Sequence, residues 1–211
     1  FAQRFASAML LPDNKTLKDV LNKEAWKKLQ KYVASSQFPL DQTERFNAAM
    51  VGILMMLAEA KKMGVGEGVD EHYDRLSRAN NKFGGGLENE DDVLSYMQAL
   101  NREDPNKIIL SSLDDINSFK REFEKLIAQW KVGDLDALDK NLGEQMRKQM
   151  PLGYTALLVN RNNKWLPQIK AMLATSEIEL VMVGSLHLSG RDGLLAMLNK
   201  DGYEVTAYKI P

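Results

Sequence analysis

The hydrophobic pattern near the C-terminus predicts a strand, a loop, a helix and a second strand. A short run of mostly branched apolar residues, Ile178 to Val183, is typical of a strand that is buried on both faces. Gly202 stands where a helix would stop, and residues 203–208 alternate as a second strand does. The apolar residues in between share one face of a helix: Leu194, Leu195 and Leu198. We therefore predict a β-α-β unit at about 177–210.

The chain before this unit has mainly the spacing of helices. Apolar residues recur three and four positions apart over long stretches, as between Ile116 and Trp130. A glycine-rich stretch at 83–87 reads as a short strand, and Asn89 is placed to cap the helix that follows. The predicted fold class is α/β, a small and mainly parallel sheet with a large helical insertion at about 16–175.

Composition narrows the function classes. The chain has 211 residues with a formal net charge of −1, so nothing favours a nucleic-acid partner. It has no cysteine, which excludes disulfides, thiol catalysis and cysteine-ligated zinc. The longest apolar run, Ala48 to Ala58, is too short to span a bilayer. We expect no membrane span in this chain.

His187 is the leading candidate for chemistry. It follows the predicted strand and Gly184, and ligands of α/β folds collect beyond the carboxyl ends of strands. A neutral imidazole there could bind a divalent metal or transfer a proton. The alternative is a loop histidine that only forms hydrogen bonds with the backbone.

Four further polar residues have both a structural and a functional interpretation. Glu88 follows the predicted strand at 83–87, where it could stabilise a helix N-terminus or act as a metal ligand or general base. Arg161 and Asn162 are neighbours on a helix, so they cannot point the same way. We expect Arg161 to face inward and to pair with a carboxylate such as Glu88, with Asn162 anchoring the helix. His72 lies among acidic residues and is interpreted as part of a solvated face.

Several short motifs occur in an order that resembles the TraB/GumN (PrgY-like) family, which is related to the Tiki metalloproteases. The C-terminal signature is Gly-x-x-His-Leu, a glycine-rich turn with a helix, and Gly-Tyr-x-Val, and each part is present. The motif residues are Gly184, His187, Leu188, Gly190, Gly193, Gly202, Tyr203 and Val205; Arg161, Asn162 and Trp165; Gly68, Asp70, Gly86, Leu87 and Glu88; and Trp130, Gly133 and Asp134.

The resemblance implies a metal-dependent hydrolase that cleaves peptides. His187 and Glu88 would be metal ligands, Glu88 alternatively a base, and Arg161 and Asn162 would support catalysis. Gly184 would line the cofactor site, and the cofactor would be a divalent metal cation. It also implies a peptide or small-molecule ligand and an extracytoplasmic location.

The pattern of the resembled family begins with a first Gly-x-x-His motif on an N-terminal strand. This chain lacks that motif. It has only two histidines, and the other one, His72, is preceded at the motif spacing by Val69 instead of glycine. We therefore expect a single domain, residues 1–211, that lacks its N-terminal strand or strands and part of the site. Two alternatives stay open. One is a non-catalytic protein that binds a haem-like or peptide ligand or regulates a peptide signal, and the other is a helical scaffold with a vestigial site.

Overall fold

The structure, a computed structural model, describes residues 1–82 and 84–208. Most of these residues are helical, and none of them belongs to a β-strand. The nearest approach to a sheet is one antiparallel bridge between Leu10 and Phe46. The prediction of an α/β fold with a parallel sheet is therefore wrong, and the fold is mostly helical.

The chain forms two compact units, Phe1–Glu124 and Lys125–Pro211. The family resemblance predicted one domain, and this stays a prediction. The helices expected between about 16 and 175 are present, but the described residues contain no sheet into which they could be inserted.

The first unit contains the helices before residue 105 and most of a long one. Its core is formed by side chains with no exposed surface on four helices, among them Leu29, Met55 and Ile109. The helices are α1 (Ala2–Met9), α2 (Leu17–Val20), α3 (Lys23–Ser36), α4 (Leu40–Thr43), α5 (Ala48–Lys62), α6 (Val69–Ala79), α7 (Glu90–Leu100) and α8 (Pro105–Lys131), with a 3₁₀ turn at Pro12–Asn14.

The second unit continues with short helical segments. They are α9 (Leu135–Leu138), a π-helical turn (Asp139–Gly143), α10 (Glu144–Gln149), α11 (Pro151–Tyr154), a second π-helical turn (Thr155–Val159), α12 (Asn160–Leu173), a 3₁₀ turn (Ser185–His187) and α13 (Leu194–Lys200). Its apolar core includes Leu158, Ile169 and Leu194. Among the residues that the structure describes, no helix is long and apolar enough to cross a bilayer.

Several helix ends lie where the sequence predicts them. The side chain of Asn89 accepts a hydrogen bond from the backbone N–H of Asp92 and caps α7. Gly202 has a φ of +90° just after α13, which is a backbone conformation that glycine adopts without steric cost. Local capping rules therefore account for both of these boundaries.

The two predicted strands of the C-terminal unit are irregular. Ile178 and Leu180 are exposed by 101% and 73%, so this run is not buried as the sequence predicted. A strand is stabilised by hydrogen bonds to a neighbour, and the described residues supply no neighbour for residues 178–183 or 203–208. The β-α-β prediction is thus wrong for its strands and correct for its helix. Residues 209 and 210 of that unit, and Phe83 of the glycine-rich stretch, lie outside the described residues.

Candidate functional site

His187 lies at the end of a tight turn and is buried, with 6% of its surface exposed. The turn is closed by a 2.8 Å hydrogen bond from the His187 backbone N–H to the carbonyl of Gly184. Gly184 has a φ of −55°, so any residue could adopt its backbone conformation. The turn therefore does not depend on the conformational freedom of glycine at this position.

Asn162 on α12 holds the His187 loop through both atoms of its side-chain amide. Its Nδ2 atom donates to the carbonyl of His187 at 3.2 Å and to the carbonyl of Asp192 at 2.7 Å. Its Oδ1 atom lies 2.7 Å from Nδ1 of the His187 ring. Asn162 is only 1% exposed, so these contacts replace its hydration.

This arrangement determines the tautomer of His187. Carbonyl oxygens only accept hydrogen bonds, so the amide nitrogen of Asn162 must face the two carbonyls and its oxygen must face the ring. Since an amide oxygen also only accepts, Nδ1 of His187 carries the proton. In the neutral ring the lone pair is then on Nε2, and Nε2 is the atom that can bind a metal or accept a proton.

Trp165 packs against the imidazole from the next turn of α12. The two ring centroids lie 4.4 Å apart with an interplanar angle of 41°. The guanidinium of Arg161 lies 4.7 Å from the indole centroid, in the geometry of a cation–π contact. Within the described residues, the buried Nε1–H of Trp165 has no hydrogen-bond acceptor. The site therefore contains an unused donor beside the histidine.

Two glycines let the loop after His187 pack closely against its surroundings. Gly190 has a φ of +70°, and a Cβ atom there would lie 2.6 Å from the carboxylate of Asp139. A Cβ atom on Gly193 would collide with the backbone of Leu188 and Ser189. Both positions accordingly require glycine, one for its backbone angle and both for space.

A second polar cluster contacts the same loop at Gly190 and Asp192. Arg147 forms a bidentate ion pair with Asp139, at 3.0 and 2.9 Å, and each side chain is only 20% exposed. The Nη1 atom of Arg147 also donates to the Tyr154 hydroxyl at 2.9 Å. That hydroxyl donates in turn to Asp192 Oδ2 at 2.9 Å. Burial raises the pKa of the Tyr154 phenol, so folding favours its protonated form.

The model of the TraB/PrgY/gumN family matches residues 1–207. The chain belongs to this family. The match covers both compact units and bears out the resemblance that the short motifs indicated. No curated protein and no solved structure matches the chain.

In this TraB/PrgY/gumN protein, Asn162 is buried against His187 and Arg161 is partly exposed. Asn162 contacts His187, whereas Arg161 is partly exposed, lies over Trp165 and donates to the carbonyl of Leu157 at 3.3 Å. Asn162, which we expected only to anchor the helix, is thus the more buried of the two, and the pairing of Arg161 with a carboxylate such as Glu88 stays a prediction. Neighbouring helix positions differ by about 100°, and the sequence did not indicate which of them faced the loop.

Two other candidate residues belong to the first unit. Glu88 belongs to the first unit, directly before the capping residue of α7, and is partly buried. His72 is exposed on α6, where no residue is buried, and its Nδ1 atom lies 3.3 Å from Arg75 Nη2. The interpretation of His72 as part of a solvated face agrees with its exposure.

The cluster formed by Asp139, Arg147, Tyr154 and Asp192 was not predicted from the sequence. None of these residues belongs to a motif that we recognised. A detectable signal was a charged residue, Asp192, between two glycines in the loop that follows the motif histidine. The pairing partners could not be found this way, because they are as far as 38 positions away.

The donor set around His187 supplies at most part of a metal site. In the portion of the chain that the structure describes, no three His, Cys, Asp or Glu side chains come together as metal ligands would. His187 could supply one ligand atom, Nε2. Its Nδ1–H bond to Asn162 is the kind of outer contact that orients metal-binding histidines.

Proposed function

We propose that this TraB/PrgY/gumN protein is a metal-dependent hydrolase acting on peptides, with His187 Nε2 as one metal ligand. The observation that carries the proposal is the 2.7 Å contact between His187 Nδ1 and Asn162 Oδ1. It holds the lone pair on Nε2 and orients the ring before any ligand binds.

The division of roles follows from the residues around His187. Asn162 holds and orients the ring, and Trp165 excludes water from one of its faces. A divalent metal, when bound, would act as a Lewis acid and provide an activated water molecule. The remaining ligands would come from outside the His187 cluster, since the described residues gather no set of three.

Glu88, Arg161 and Gly184 keep the roles that the family resemblance implies, as proposals. Glu88 would be a ligand or general base, Arg161 a donor to developing negative charge, and Gly184 part of the lining of the metal site. An extracytoplasmic location is likewise part of this proposal. Glu88→Gln keeps the size of the side chain and removes its charge, so it tests the first role by loss of metal or of peptide cleavage.

Metal analysis tests the proposal directly. The protein is equilibrated with Zn²⁺ or Mn²⁺, excess metal is removed, and bound metal is measured for the wild type, His187→Ala and His72→Ala. We expect metal in the wild type and in His72→Ala, and its loss in His187→Ala. Absence of metal from every form, or equal retention in His187→Ala, would contradict the proposal.

A second candidate function is ligand binding without catalysis, for a haem-like or peptide ligand. It is favoured by the buried Nε1–H of Trp165, which has no acceptor among the described residues. A buried donor without a partner costs about 1–3 kcal/mol, and an oxygen atom of a bound ligand would remove that cost. Trp165→Phe removes the Nε1–H donor and part of the ring, and it keeps an aromatic side chain at this position. Weaker binding of haem or of a peptide library by this variant, with no metal in any form, would favour the second candidate.

A further inference from the structure

The hydrogen bonds of Asn162 and of Tyr154 converge on one residue of the His187 loop, Asp192. Its backbone carbonyl accepts the 2.7 Å bond from Asn162 Nδ2. Its carboxylate accepts the 2.9 Å bond from the Tyr154 hydroxyl. Whatever holds the Asp192 side chain therefore also holds the carbonyl that fixes the orientation of the Asn162 amide.

The Asp192 side chain is held by a continuous chain of contacts. Tyr154 donates to it and accepts from Arg147, and Arg147 is itself fixed by two bonds to Asp139. The ion pair is mostly buried, so it is weakly screened by solvent and salt. A bidentate pair also fixes the direction of the guanidinium, and with it the position of the Tyr154 hydroxyl.

A second connection joins the same chain of contacts to the loop. The carboxylate of Asp139 lies so close to Gly190 that a Cβ atom there would be 2.6 Å away. Gly143 approaches the same carboxylate from its own helical turn. The carboxylate therefore fills the space between the helical segment and the loop, and packing as well as hydrogen bonding restrains residues 190–192.

We propose that Asp139, Arg147, Tyr154 and Asp192 are positioning residues that hold the Asn162 amide in the orientation that protonates His187 on Nδ1. None of the four contributes its own side chain to the His187–Asn162 hydrogen bond. They act through the Asp192 carbonyl, and the result of their action is that the lone pair of the neutral ring is on Nε2. The proposal rests on His187 as the functional group of the proposed hydrolase, but it concerns only the state of its ring.

The tautomer of His187 is the readout that a merely structural role would not change. The imidazole ¹⁵N resonances of a neutral ring distinguish a protonated nitrogen from one that carries a lone pair. The chain has only two histidines, so His72→Gln assigns the spectrum. The wild type should show His187 protonated on Nδ1 in nearly all neutral rings.

Tyr154→Phe is the decisive variant, since it removes one oxygen atom that bonds both Arg147 and Asp192. We expect the ratio of Nδ1–H to Nε2–H tautomers to fall about fivefold, the size that one hydrogen bond supports. Tyr208→Phe, at a side chain that is 87% exposed in the same unit, is the matched control and should leave the ratio unchanged. An unchanged ratio in a folded Tyr154→Phe protein would overturn the proposal.

Asp139→Asn decides the question if Tyr154→Phe does not fold. It weakens the ion pair and leaves the Tyr154–Asp192 bond in place, so we expect a smaller change in the same direction. No change in this variant would overturn the proposal as well. The positioning role and the proposed function can fail independently. If wild-type His187 has the expected tautomer but the protein binds no metal, the proposed function is contradicted and the positioning role is not.

Discussion

The two histidines of the chain occupy opposite environments, and the contrast shows what the sequence around them does. His72 is exposed on α6, a helix with no buried residue, and its neighbours Asp70, Glu71 and Asp74 are exposed too. His187 is 6% exposed and has an amide, an indole ring and a tight turn against it. Acidic residues near a histidine do not form a binding site when all of these side chains are exposed to water. Buried neighbours fix the imidazole in one orientation and one tautomer.

The largest effect should come from Asn162→Ala. It removes the donor of two buried carbonyls and the acceptor of the His187 ring, so we expect the free energy of unfolding to fall by about 3 kcal/mol. Asn163→Ala, at the exposed neighbouring position, should change it by less than about 0.5 kcal/mol. Denaturant titration measures both, and similar losses in the two variants would contradict the account.

Gly190→Ala should have the next largest effect. The alanine must adopt a φ of +70° and approach the carboxylate of Asp139, and we expect a loss of about 2 kcal/mol in thermal or denaturant unfolding. Gly202→Ala has a φ of +90° with nothing within 4 Å, so it reports the backbone cost alone, about 1 kcal/mol. If the two variants were equally destabilised, the close contact with Asp139 would carry no energy.

A smaller effect on stability is expected from Tyr32→Phe in the first unit. Tyr32 donates to Glu59 at 3.1 Å, and burial raises the pKa of its phenol from 10.0 to about 12. Because folding favours the neutral phenol, its stabilising contribution is complete below about pH 10 and is lost as the pH rises through about 12. The difference in unfolding free energy between the wild type and Tyr32→Phe, about 1 kcal/mol at neutral pH, should therefore shrink in this alkaline range. A difference that stays constant from pH 8 to beyond 12 would contradict the shift.

The smallest effect should be that of His72→Ala. The side chain is exposed, and its contacts are the exposed Arg75 and the ring of Tyr73. We expect a change in unfolding free energy below about 0.5 kcal/mol and no change in bound metal. Loss of metal in this variant would reverse the contrast between the two histidines.

Local rules predicted the helices of this protein well and its strands poorly. The cap at Asn89, the helix α13 and the stop at Gly202 depend on neighbours within a few residues, so the sequence contains all the information needed. The run from Ile178 to Val183 has the composition of a strand, but a strand also depends on a partner that may be far away in sequence. Composition alone could not show that the described residues provide no partner strand for this run.

The site was predicted in part for the same physical reason. The family motifs selected His187, Asn162 and Trp165, which do lie together. The sequence could not show that Asn162 is the inward one of its pair, because that depends on where a loop 25 residues later returns to the helix. The contacts from Asp139 to Asp192 could not be predicted from the sequence, because they join side chains of segments that share no motif.

A zinc titration followed on the imidazole nitrogens tests the central claim most directly. The claim is that His187 offers its Nε2 lone pair to a metal because Asn162 holds the proton on Nδ1. We expect Zn²⁺ to shift the His187 Nε2 resonance, to leave its Nδ1–H in place and to leave His72 unaffected. An unshifted His187, or a shift confined to His72, would contradict the claim.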